Sequence, residues 1–144
     1  MPGFRVGAWC WIATGTGHTL GDLVLRVFPM DGDKAIDAAM RAHPFELFGL
    51  HRSYYQVTMG FSLVMGVCLV FVGVLLLHIH RITPRRSLRR AAVLGLGMSA
   101  VALTLSALFE PPPPIVLFSA ACVAFALSAY GRRDTSEPVV RKVT

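Results

Sequence analysis

Residues 57–79 form a run of 23 side chains with no Asp, Glu, Lys or Arg. A run of that length and apolarity is the sequence signature of a helix that crosses a bilayer, so it limits the folds open to the whole chain. Three further apolar runs follow the same logic, at 6–28, 91–109 and 115–130. The first would be about 34 Å long at the helical rise, enough to span hydrocarbon with slight tilt. A soluble core of 144 residues could not bury four such runs. With 54% hydrophobic and 15% charged residues, the composition also suits a lipid-solvated protein. The expected fold is therefore all-α: a polytopic membrane protein built as a four-transmembrane-helix bundle in a single domain, 1–131. An outer loop at 29–56 and a polar cytoplasmic tail at 132–144 complete it. The first run is interrupted by His18 and Asp22 and has only Arg5 before it, so it is expected to be a retained helix and not a cleaved leader.

Charge sets the expected orientation. Ten Lys or Arg residues fall at position 5, in the 81–90 connection and in the tail, against four at Arg26, Lys34, Arg41 and Arg52. By the positive-inside rule both termini are cytoplasmic and the protein belongs to the inner membrane. The formal net charge of +6 does not point to nucleic acid, because the basic residues flank apolar runs and are not interleaved with aromatics on one face. Cys10, Cys68 and Cys122 lie in apolar segments without C-x-x-C spacing, so no disulfide framework or thiol redox motif is expected. Trp9, Trp11 and Tyr130 read as anchors at the inner interface.

The outer loop is the one sizeable polar region. Residues 35–41 have the composition of a short helix that Pro44 would end. The aromatic residues around Phe45, Phe48, Tyr54 and Tyr55 suit the headgroup level. Glu110 followed by four prolines predicts a stiff, extended turn between the third and fourth spans.

Candidate functional side chains are few. His18 and Asp22 share a helix face at i and i+4, and an ionisable group inside a span is a functional candidate by default. The competing expectation is helix glue. Counted by depth, Asp22 lies near Arg52 and Gln56, and His18 lies near Ser62, Ser99 and Cys122, so an Asp22–Arg52 pair and a His18–hydroxyl bond would tie the helices together. Gly17 and Gly21 form a G-x-x-x-G on the same helix, and Ala91, Gly95 and Ser99 repeat every four residues. Both patterns let helices approach closely. No cofactor or metal is expected. His18 has no His partner at its depth, His78 and His80 diverge by about 200° on a helix, and His43 and His51 belong to the loop. No catalytic motif with a Ser-His-Asp, H-E-x-x-H, phosphate-loop or paired-carboxylate pattern is present, so the chain is not expected to be an enzyme.

The phrases Gly17-His18-Thr19 in the first run and Arg52-Ser53-Tyr54-Tyr55 leading into Gly60-Phe61 in the second resemble a group of small, uncharacterised bacterial four-helix membrane proteins. The likeness covers mainly residues 10–65. It implies that His18, Arg52 and Tyr55 cooperate on the outer half of the bundle, and the depth count adds Asp22 and Gln56 to the same candidate polar cluster. The likeness implies no activity.

Two functions are expected. The first is a non-catalytic accessory or assembly subunit of a larger membrane complex, respiratory or photosynthetic, whose partners are lipids and other membrane subunits. The second is a small transporter or a binder of a lipophilic, quinone-like ligand that uses His18 and Asp22.

Overall fold

A computed structural model describes residues 1–29 and 32–131. It contains five helices and one short hairpin: α1 (Pro2–Val27), α2 (Asp33–Ala42), β1 (Pro44–Leu47), β2 (Leu50–Ser53), α3 (Tyr54–Ile82), α4 (Arg85–Phe109) and α5 (Pro112–Tyr130). Three of these, α3, α4 and α5, are long and apolar enough to cross a membrane. The chain is therefore helical and of membrane-protein character. α1 is equally long, but its glycines, threonines, His18 and Asp22 dilute its apolarity. The expected polar tail at 132–144, with Arg132, Arg133, Arg141 and Lys142, lies outside the described residues.

α1 is the hub. It packs against α3 on one side and α5 on the other, and α4 packs on α5. Its buried positions, Phe4, Gly7, Ala8, Trp11, Thr14 and Gly15, recur at three- and four-residue intervals and form one seam along the helix. The long helices alternate in direction. The Phe4 ring stacks on His80 near the end of α3 and meets Phe125 near the end of α5 edge-on. Arg89 at the start of α4 donates from Nε and Nη2 to the Ala129 carbonyl at 2.9 and 2.7 Å. The start of α1, the end of α3, the start of α4 and the end of α5 thus share one end of the bundle. Arg89 also satisfies a carbonyl at a helix C-terminus, where a cation is favoured.

Three expectations are corrected by this packing, and the loop holds an element that was not expected. The first concerns glycines. Gly17 and Gly21 are exposed, and a Cβ built on either would meet nothing within 4 Å, so they do not form a helix contact. The close approach of α1 and α3 falls elsewhere on α1, at Gly15 and Gly66, where a Cβ on Gly15 would lie 2.7 Å from the Gly66 carbonyl oxygen. Spacing alone does not say which helix face carries a glycine pair. Gly95 and Ser99 are buried, and Gly95 lies flat against the Phe125 ring.

The second correction is Trp11. It is not an interface anchor, being only 6% exposed. Its indole N–H donates to the Ser99 hydroxyl at 3.0 Å, and its ring meets Phe118 edge-on. Trp9 and Tyr130 do remain exposed.

The third is the proline run. Pro112, Pro113 and Pro114 do not stay extended but form the first turn of α5. The first N–H groups of a helix have no intrahelical acceptor, so prolines there forfeit no hydrogen bond and bring a helical φ with them. Only Pro111 is extended, as the N-cap.

In the loop, the short helix expected at 35–41 is present within α2. After α2, residues 44–53 pair as an antiparallel hairpin with Pro44 opposite Ser53. Its two-residue turn has positive φ at both Phe48 (51°) and Gly49 (77°), the left-handed geometry that matches strand twist. Ser53 then caps α3. Its hydroxyl accepts from the Gln56 N–H at 3.3 Å, and the Gln56 side chain accepts from the Ser53 N–H at 3.1 Å.

Candidate functional site at the hairpin end of the bundle

Position along the bundle can be read from ring contacts. Phe118 meets Trp11, and Pro112 lies six residues earlier, so in antiparallel helices α5 begins opposite about residue 17 of α1. α1 beyond His18, the first turns of α3, α2 and the hairpin therefore rise past the α4–α5 turn. The polar side chains of α1 sit at this mouth.

There a chain of polar contacts crosses from α1 to α3 and back. The Ser62 hydroxyl donates to Asp22 Oδ2 in a short hydrogen bond, and His18 Nε2 lies 2.9 Å from the Ser62 Oγ. Arg26 Nη2, one helical turn along, contacts the same carboxylate oxygen, Asp22 Oδ2, at 3.3 Å. A serine hydroxyl has one proton. Since Asp22, paired to Arg26, takes that proton as an acceptor, His18 Nε2 must be the donor to the Ser62 oxygen. The imidazole is thus held in the tautomer, or the cation, that carries a proton on Nε2. The order of the groups also matters chemically. A nucleophilic triad places histidine between serine and carboxylate, whereas here serine stands between the other two and donates away from the imidazole. The arrangement connects helices and can relay a proton, but it does not activate Ser62 as a nucleophile.

A cavity of about 400 Å³ opens beside this chain, between α1, α2 and α3. Asp22, Arg26, Lys34, Arg41, Tyr55 and Ser62 supply much of its polar lining, with Leu25, Ile36, Met40 and Met59 among the apolar walls. The Arg41 guanidinium lies 3.5 Å above the centre of the Tyr55 ring, a cation–π contact that ties α2 to α3. His43 Nδ1 lies 2.7 Å from the Ala39 carbonyl, closing the last turn of α2.

Of the five residues expected to cluster, the structure brings His18 and Asp22 together through Ser62 and sets Tyr55 in the wall of the adjoining cavity. Gln56 is engaged in the α3 cap. Arg52 is exposed on β2, where its guanidinium donates to the His51 carbonyl at 3.1 Å. Asp22 pairs with Arg26 instead, an i,i+4 partner on the same helix face. Sequence reasoning did not single out Arg26 or Arg41 as site residues. The Asp22–Arg26 spacing was a usable signal for the first, and nothing in the sequence marks the second. Among the described residues, no three His, Cys, Asp or Glu side chains converge as a metal site. Comparison with known proteins finds no matching family model, no matching curated protein and no matching solved structure.

Proposed function

We propose that the chain is a four-span inner-membrane protein with both termini cytoplasmic, acting as a non-catalytic accessory or assembly subunit of a larger membrane complex. The observation that carries this reading is an open edge. α3 and α4 are joined by only Thr83 and Pro84, yet they make almost no contact along their lengths. The four long helices thus form a bent row, α3–α1–α5–α4, in which α3 has α1 as its long-helix neighbour and α4 packs mainly on α5, with the Trp11–Ser99 hydrogen bond tying it to α1. A self-sufficient bundle closes such a row into a ring. The free flank of α4 also exposes Gly97, Ala100 and Thr104, small residues of the kind that admit a neighbouring helix in lipid. Topology is supported by the shared end of the bundle, which gathers Arg5, Arg81, Arg85, Arg86, Arg89 and Arg90. α5, with 19 residues, is about 28 Å long and matches the hydrocarbon thickness.

Crosslinking in native membranes followed by mass spectrometry tests the proposal. A partner subunit crosslinked through α3 or α4 is the expected result. Recovery of the chain only as an isolated species overturns it.

A second reading, a transporter or a binder of a lipophilic ligand, is favoured by one observation: the His18–Ser62–Asp22 chain borders a cavity with mixed polar and apolar walls. On that reading, His18→Ala alters ligand binding or flux more than it alters the amount of folded protein. Loss of stability without loss of binding would leave these residues as helix glue.

A further inference from the structure

At the opposite end of the bundle, a second cleft of about 510 Å³ lies between the start of α1 and the end of α3, lined by Arg5, Trp9, Leu77, His80 and Arg81. The two helices present matching pairs. Arg5 and Trp9 are one turn apart on α1, and Leu77 and Arg81 are one turn apart on α3, so each pair shares a helix face. Because α1 and α3 run in opposite directions, with Phe4 stacked on His80 at 5.8 Å, both arginines fall at the rim while Trp9 and Leu77 lie deeper. The cleft therefore has a cationic rim over an apolar floor. No carboxylate lines it, and among the described residues neither arginine is in an ion pair. Trp9 is 54% exposed, at the level where an indole suits the headgroup boundary. His80 forms part of the wall, and its buried Nε2 has no hydrogen-bond partner. An acceptor drawn into the cleft could supply one.

We infer that this cleft binds the phosphate headgroup of an anionic phospholipid from the adjoining leaflet. Two guanidinium groups recognise a phosphodiester by charge and paired N–H donors. The Trp9–Leu77 floor receives the first methylenes of an acyl chain, which a free phosphate ion does not possess. The volume falls within the range of small-ligand sites. Assignment to the cytoplasmic leaflet rests on the topology proposed above, whereas selectivity for the lipid does not.

The test uses the full chain in mild detergent. Equal amounts of dioleoylphosphatidylglycerol and dioleoylphosphatidylcholine are offered, and retained lipid is read by native mass spectrometry. Wild type is expected to retain the anionic lipid preferentially. At about fivefold per arginine near an anionic surface, the R5Q/R81Q variant should lose about twenty-five-fold of that preference. R5K/R81K, which keeps the charge, should retain most of it. R85Q/R86Q removes equal charge from exposed positions outside the cleft and should change it little. Equal retention of the two lipids by wild type overturns the inference, as does an equal loss in R85Q/R86Q. Displacement of the bound lipid by millimolar inorganic phosphate would show that the acyl floor contributes nothing, which also overturns it. If thiol labelling places this end outside the cell, the topology fails while lipid selectivity in detergent stands or falls separately.

Discussion

Ser62→Ala removes the hydroxyl that joins α1 to α3 at the hairpin end of the bundle, and its consequence can be worked from the contacts. Two hydrogen bonds are lost, one to a carboxylate and one from an imidazole. Interhelical hydrogen bonds in membrane proteins average about 0.6 kcal/mol and reach about 1.7. Bonds to charged groups lie toward the upper end of the general range, about 1.5–3 kcal/mol. The site is only part-buried, so water can re-solvate Asp22, and Arg26 keeps its contact. We therefore expect a loss of about 1–2 kcal/mol. The assay is reversible unfolding in mixed micelles, with H18A and the H18A/S62A pair completing a double-mutant cycle. His18 and Ser62 should couple by about 0.5 kcal/mol or more. A Ser62→Ala loss below about 0.3 kcal/mol with no coupling to His18 would refute the polar chain as a helix tie.

The remaining expectations concern packing. Trp11→Phe keeps the aromatic contact with Phe118 but deletes the bond to Ser99, leaving a buried hydroxyl without its donor, so about 1 kcal/mol of stability should be lost in the same assay. Gly66→Leu places a side chain where Thr19 Oγ1 and the Gly15 carbonyl already lie, and should abolish the native α1–α3 association, read as loss of the folded peak in size-exclusion chromatography. Gly21→Ala faces open space and should stabilise the helix slightly, by less than about 1 kcal/mol. The opposite ranking of these two glycines would restore the G-x-x-x-G as the packing motif.

What was readable in the sequence divides along physical lines. The helix of residues 57–79 needed only composition, because lipid admits so few backbone solutions, and α3 extends that run by one turn or less at each end. Counting depth matched His18 with Ser62 correctly, but it also set Ser99 and Cys122 level with His18, whereas Ser99 meets Trp11 about two turns away and Cys122 lies beyond Phe118, which packs at Trp11. Facing is a different matter. Gly17 and Gly21 had the right spacing on the wrong side of α1, and Trp11 looked like an interface residue until the burial of the α1 seam placed it against Ser99 and Phe118. The prolines were misjudged because their effect depends on position: three that would break a helix interior form a first turn at Pro112, Pro113 and Pro114. The hairpin at 44–53 lay hidden because its turn asks Phe48 to adopt a left-handed conformation that a bulky side chain seldom takes. Arg52 was assigned to Asp22 by level alone, and the local partner Arg26 took precedence.

The membrane orientation of the bundle can be measured directly. In a background with Cys10, Cys68 and Cys122 replaced by alanine, single cysteines F48C in the hairpin turn and R86C at the basic end are treated with a membrane-impermeant maleimide in intact cells with a permeable outer envelope. F48C is expected to label at once, and R86C only after the inner membrane is opened. Labelling of R86C but not F48C in intact cells, or of both together, would contradict a four-span bundle with its termini inside.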